Sequence, residues 1–220
     1  GCFHDGSGLG DQLHRYVTVR TFAESKGWDW GMANRGAYKG AEFMPIQMGL
    51  LSPEAMPGWL EKDVRENGVD IRSYDPEINF VEDNTFIDGS FEDFRYWCHN
   101  LTNIDKWLKV EPLPMPKDLC VIGFRGGEYA SDPNLFLTAD YWYEAIKLMQ
   151  EKGVKDFQVH TDDPTLAKQF FPDFEVLENT QLSHSHHSNM SFNWRSMRYA
   201  KYAIIANSAF YIMPRNLAHH

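Results

Sequence analysis

The sequence predicts an α/β fold in two lobes, the second built on a parallel sheet with helices on both faces. Three observations carry this. From residue 119 onward, short apolar runs of strand length alternate with helical stretches, a pattern that parallel strands with right-handed crossovers satisfy. Ahead of that alternation lies Val110-Glu111-Pro112-Leu113-Pro114-Met115-Pro116, whose spaced prolines remove backbone donors and stiffen the chain as an extended spacer. The 220 residues, 43% hydrophobic and 24% charged, suffice for one large domain or two small ones without a disulfide or metal to hold a core. The lobes are placed at residues 1–111 and 117–220, facing across a cleft.

In the second lobe the first strand is the run Leu119-Cys120-Val121-Ile122-Gly123-Phe124, broken by Gly126-Gly127. A helix over 138–152 follows, with Thr138 as cap, Asp140 in the first turn and Gly153 as the stop. A strand over 157–160 leads to Asp163-Pro164, a helix start with Asp capping and Pro at the first helical position. A strand over 174–177, a helix over 191–200 and a strand over 202–206 complete the alternation. In the first lobe Cys2-Phe3 reads as the end of a short strand, and 11–26 as a helix stopped by Gly27. Further helices are read over 53–66 and 91–99. The start reads as abrupt, as though a fragment began there, and His219-His220 as a purification remnant.

Composition excludes several function classes. A net charge of −10 argues against a nucleic-acid backbone or an anionic membrane as main partner, while leaving room for a local anion pocket. Three scattered cysteines, Cys2, Cys98 and Cys120, make neither a thiolate metal site nor a disulfide framework. No run approaches a membrane span, so a soluble, cytoplasmic protein is expected. The tract His184-Ser185-His186-His187 has no carboxylate or thiol at ligand spacing and reads as a polar loop.

In open parallel sheets ligands bind beyond the carboxyl ends of the strands, so the loops there are where chemistry is expected. Arg125, in Gly123-Phe124-Arg125-Gly126-Gly127-Glu128-Tyr129, is costly to leave unpaired at the end of a buried strand. It meets either an anionic ligand, for which a guanidinium fork suits phosphate, or a carboxylate such as Glu128. In Thr161-Asp162-Asp163-Pro164, one aspartate can accept from ligand hydroxyls, or the pair is simply a helix cap. Asn207, Ser208 and Phe210, in Ala206-Asn207-Ser208-Ala209-Phe210, offer a hydroxyl and backbone N–H groups, or form a capped turn. In the first lobe Gly6-Ser7-Gly8-Leu9-Gly10-Asp11 runs into a helix start, where bare backbone can approach an anion. Trp28, Trp30 and Trp59 suit either sugar stacking or a core.

Taken in order, these segments resemble the fucosyltransferase superfamily with α1,2- and α1,6-linking members. Ser7-Gly8-Leu9-Gly10-Asp11-Gln12 is similar to the family's Gly-Gly-Leu-Gly-Asn-Gln segment, and Gly123 to Tyr129 to its His-x-Arg-Arg-Gly-Asp-Tyr signature. Thr161-Asp162-Asp163 resembles its Ser/Thr-Asp-Asp, and Ile204-Ile205-Ala206-Asn207-Ser208-Ala209-Phe210 its Ile-Ile-x-Asn-Ser-Ser-Phe. Phe86-Ile87-Asp88-Gly89-Ser90-Phe91 is a weaker counterpart, and roughly residues 28–85 match nothing. The resemblance implies a GT-B-like fold with a Rossmann-like carboxyl lobe, and inverting transfer of fucose from GDP-fucose to a glycan hydroxyl. It implies neither a metal nor another cofactor. Arg125 would grip the pyrophosphate, aided by Gly8, Gly10, Asp11 and Ser208, with Asp11 or Glu128 as base. The family's base-reading His and Asp fall on Gly123 and Asn193, and its second Arg on Gly126. Those departures leave open another nucleotide sugar, or a non-catalytic binding relative.

Overall fold

A computed structural model describes residues 1–51, 57–62, 64–66, 69–71, 73–179 and 187–218. They form a mixed α/β protein whose chain divides into two compact units, Gly1–Lys109 and Val110–His220.

The first unit is organised around α1, Leu9–Lys26, most of whose 18 residues are buried, and on all sides. A helix wrapped by its own unit shows no single apolar stripe, so its polar residues need partners inside. Gln12 finds them: its amide donates to the Ala37 carbonyl at 2.7 Å and accepts from the Lys39 N–H at 3.0 Å. Arg20 lies between the rings of Trp30 and Trp107, at 5.0 and 4.1 Å, and pairs with Glu24. Trp28 packs edge-on to Phe22 and Trp59 stacks on Phe91. The helix ends at Gly27, left-handed at φ 71°. It begins two residues before the expected position, because the Asp11 carboxylate turns back to accept the Gly8 N–H at 3.2 Å.

The helix read over 53–66 is corrected for its described part. Residues 52–56 lie outside the described residues, and beyond them the chain is extended in β1 (Gly58–Leu60) and β2 (Val64–Glu66). β1 pairs in parallel with β4 (Phe86–Asp88), and β2 antiparallel with β3 (Val69–Ile71). Tertiary pairing decides here: the Phe86 N–H donates to Pro57 O and the Glu61 N–H to Asp88 O. The buried Glu61 carboxylate then accepts the N–H groups of Ser90 and Phe91, at 2.7 and 2.9 Å, pinning the end of β4. The helix read over 91–99 is likewise two short 3-10 turns, Phe94–Tyr96 and Cys98–Asn100. Phe91 at φ 53° and Asp93, capping the Arg95 N–H, interrupt it. A true helix, α2 (Leu101–Trp107), comes only afterwards. Cys2 and Ala33 meet in a single parallel bridge.

The second unit carries a five-stranded parallel sheet of β5 (Leu119–Phe124), β6 (Asp156–Thr161), β7 (Glu175–Asn179), β8 (His187–Ser188) and β9 (Tyr202–Ile205). Its order is β8-β7-β6-β5-β9. The chain steps outward from β5 to β8 and then returns to place β9 on the other side of β5. Helices α3 (Ala139–Glu151) and α4 (Pro164–Phe170) make the outward crossovers, and α5 (Met190–Tyr199) the return. With right-handed connections the two directions put helices on opposite faces. Packing agrees: Phe124 faces Trp142 of α3 and Phe170 of α4, whereas its neighbour Gly123 faces Tyr211 of α6 (Ala209–Asn216), which packs on α5. The proline segment is fastened along α5, since Arg195 donates to the Glu111 and Pro112 carbonyls and Tyr199 to that of Val110.

Of the histidine tract, residues 184–186 lie outside the described residues, and His187 belongs to β8. Among the described residues no helix is long and apolar enough to cross a membrane.

Candidate functional site at the carboxyl edge of the parallel sheet

The strand order reverses at β5, between β6 and β9. In open parallel sheets this switch leaves a crevice at the carboxyl edge where loops diverge to opposite faces. Three loops reach that edge: Arg125 to Gly127 after β5, Asp162-Asp163 after β6, and Ala206 to Ser208 after β9.

Register assembles the first two. Phe124 pairs with Thr161, so the next residue on each strand, Arg125 and Asp162, are neighbours. Arg125 Nη1 meets Asp162 Oδ2 at 2.6 Å, and Nη2 donates to Glu128 Oε1 at 3.1 Å. Arg125 Nε is buried and has no hydrogen-bond partner among the described residues, and the guanidinium lies 5.3 Å from the Tyr129 ring. Asp162 uses its second oxygen to accept the Gly126 N–H at 3.0 Å. The two carboxylates differ in kind. Asp162 is locked by backbone and guanidinium and is 21% exposed; Glu128 is 77% exposed and holds by one contact. A screened, exposed contact of that sort is worth little, so an incoming anion can replace Glu128 at small cost.

The glycines after Arg125 are dictated by these carboxylates. A Cβ on Gly126 would lie 2.6 Å from the Asp163 Cβ, and one on Gly127, at φ 36°, would lie 2.5 Å from Asp162 Oδ2. No second arginine fits at 126 while the aspartates stand where they do. Asp163 itself caps α4, accepting the Leu166 N–H at 3.0 Å, with Pro164 at the first helical position.

Beneath the edge, Gly123 is covered by the Tyr211 ring, whose hydroxyl donates to the His160 carbonyl at 3.1 Å. Burial pushes the Tyr211 hydroxyl well above its ordinary pKa, so it stays a donor. Asn193, on α5, is fully buried, with its side chain against that of Tyr211. His160 is buried too: Nε2 pairs with Gln158 Oε1 at 3.0 Å, the ring stacks on Phe192, and burial lowers its pKa to about 3.

On the β9 side, Ala206 N–H donates to the Gly123 carbonyl at 2.8 Å, so Asn207 and Ser208 stand at the same edge as Arg125. Ser208 begins α6 as its cap residue with no side-chain cap bond, and Asn207 is exposed. Phe210 packs between Trp194 and Tyr211. The structure therefore joins Arg125, Glu128 and Asp162 directly and sets Asn207 and Ser208 on the adjoining strand end. It leaves Asn193 in the interior. Gly8, Gly10 and Asp11 belong to the other unit, where Asp11 occupies the helix start that an anion would use. The sequence reading missed Tyr211 and His160. Only Gly123, a bare position in an otherwise bulky strand, hinted that a ring covers it. It also missed a cluster in the first unit, where Asp88 holds His4 at 2.8 Å and Arg15 at 3.7 Å, with Arg15 bonded to Ser7.

Compared with family models, with curated proteins and with solved structures, the chain finds no match.

Proposed function

We propose that the protein is a glycosyltransferase that binds the diphosphate of a nucleotide-sugar donor at Arg125, transferring the sugar with inversion to a glycan hydroxyl. The reading rests on one observation: a guanidinium at the carboxyl edge of a parallel sheet, beside the strand-order switch, with an exposed and weakly held counter-charge. The sequence resemblance to fucosyltransferases adds the GT-B-like architecture, the Rossmann-like character of the second unit and GDP-fucose as donor.

In this scheme Glu128 swings out and a pyrophosphate takes its place on Nη2, while Asp162 keeps Nη1 in position. The acceptor oxygen attacks the anomeric carbon, the bond from that carbon to the diphosphate breaks, and the acceptor proton passes to a carboxylate. The displaced Glu128 is the available base in this unit; Asp11 is the other carboxylate in question. Positive charge held near the leaving diphosphate does most of the electrostatic work. Ser208 and the free N–H groups at the start of α6 add donors.

A second reading has its own support. The positions that would read guanine are Gly123, sealed by Tyr211, and Asn193, buried. That favours a donor with another base, or a binding protein without turnover. Calorimetric titration with GDP, UDP, ADP and CMP separates these, repeated on Arg125→Ala. One nucleoside diphosphate is expected to bind, and Arg125→Ala to weaken it about 30-fold, roughly 2 kcal/mol. GDP alone supports the fucose donor, and another base supports the second reading. Absence of binding by all four, or an unchanged affinity in Arg125→Ala, overturns the proposal.

A further inference from the structure

The first unit holds a cavity of about 80 Å³ whose chemistry the proposed transfer reaction does not use. It lies along one face of α1, at Thr18, Thr21 and Ser25, and is closed on the other side by Tyr74, Ile78 and Tyr96. Thr18 is 1% exposed, and its hydroxyl has no hydrogen-bond partner among the described residues. A buried hydroxyl left unpaired costs free energy that a bound hydroxyl or oxyanion would recover. It is not alone in having capacity to spare. Thr21 accepts from Asn100 at 3.0 Å and Tyr74 accepts from Asn79 at 2.8 Å, so each keeps its own O–H to donate. The Tyr74 and Tyr96 rings, 4.8 Å apart, supply an apolar wall.

Charge singles this cavity out. The chain carries 31 acidic against 21 basic side chains, yet among the described residues no carboxylate lines it, whereas Lys26, Arg95 and His99 do. Asp93 neutralises much of Arg95, taking Nε and Nη2 at 2.9 and 2.6 Å. Among the described residues Lys26 donates to a neutral group, the Asn79 carbonyl, at 3.3 Å, and pairs with no carboxylate, so its charge is available to a ligand. A neighbouring cavity, also lined by Phe22, has the opposite character, with Asp29, Glu82 and Asp83 and, among the described residues, no lysine or arginine.

From the unpaired Thr18 hydroxyl at the floor, the aromatic wall and the lysine at the mouth, we propose that this cavity binds a small polyhydroxylated anion, a sugar bearing a carboxylate or a phosphate. The hydroxyls meet Thr18, Thr21 and Tyr74, the apolar ring face meets the tyrosines, and the anionic group meets Lys26. The site stands in the first unit whether or not Arg125 binds a nucleotide.

The test is calorimetric titration of the whole chain with glucuronate, glucose 6-phosphate, glucose and inorganic phosphate, repeated on Thr18→Val and Lys26→Gln. At least one sugar anion is expected to bind about fivefold or more tightly than glucose, a difference that Lys26→Gln erases. Which of the two binds identifies the anionic group. Thr18→Val, nearly isosteric, is expected to weaken sugar-anion binding about fivefold while holding or raising the melting temperature, because it removes an unpaired hydroxyl. Neither sugar anion exceeding glucose overturns the proposal, as does inorganic phosphate binding as tightly as the sugar anions. So does a Thr18→Val protein that keeps full affinity.

Discussion

Lowering the pH from about 7.5 to about 4.5 is expected to cost each unit about 2.5 kcal/mol of stability through one buried histidine apiece. In the first unit burial, with the nearby Arg15 charge, lowers the His14 pKa from 6.5 to about 4. Neither ring nitrogen has a hydrogen-bond partner among the described residues, and the ring lies 5.7 Å from Trp97. In the second unit burial lowers His160 from 6.5 to about 3. Both imidazoles are neutral in the folded chain and take up a proton in the unfolded one below 6.5. Proton uptake therefore favours unfolding. The stabilisation is full above that pH, falls by about 1.4 kcal/mol per pH unit below it, and levels off near the folded pKa of each group. Urea unfolding across this range measures it. His14→Phe, which keeps a flat ring beside Trp97, is expected to flatten the acid slope of the first unit, and His160→Phe that of the second. Slopes as steep in the variants as in the parent protein would show that other groups carry the acid sensitivity.

The second large effect is at Gly123. A Cβ there would sit 2.8 Å from two Tyr211 ring carbons and 2.9 Å from a third, and a buried ring has little room to move. Gly123→Ala is expected to cost about 3 kcal/mol by overpacking, and Tyr211→Ala about 4 kcal/mol by leaving a cavity. In the double variant the new methyl enters the vacated space, so the combined cost should fall short of the sum by about 2 kcal/mol. Urea unfolding of the four proteins gives the coupling. Additivity to within about 0.5 kcal/mol would mean that the two residues do not share that space. The same contact explains why a histidine cannot stand at 123 in this chain while Tyr211 is present.

What could be read from the sequence follows from where the deciding forces act. The run from Leu119 to Phe124 is buried on both faces, so its apolar continuity alone marks β5. Asp163-Pro164 and Gly27 carry their helix boundaries in local chemistry, and both ends fall where the residues say. β1 is different. It exists because residues 58–60 pair with 86–88, and no local pattern reports so distant a partner. The α6 helix was hidden by Pro214, which sits inside it and reads as a breaker. At the site, the need of Arg125 for a carboxylate was legible, and Glu128 is one of its partners. That the stronger partner is Asp162 depends on the register of β5 against β6, which is a property of the sheet. The expectation that Asn193 faces a ligand came from alignment by motif, whereas α5 turns it into the interior.

The central claim is that the carboxyl edge around Arg125 is where a nucleoside diphosphate binds. Amide hydrogen exchange, read by peptide mass spectrometry with and without saturating GDP or UDP, tests it most directly. The account predicts that the ligand slows exchange in peptides covering residues 124–130, 161–164 and 206–211, and that Arg125→Ala abolishes this protection. Protection centred on other segments of the second unit, or none at nucleotide concentrations that saturate binding, would contradict it.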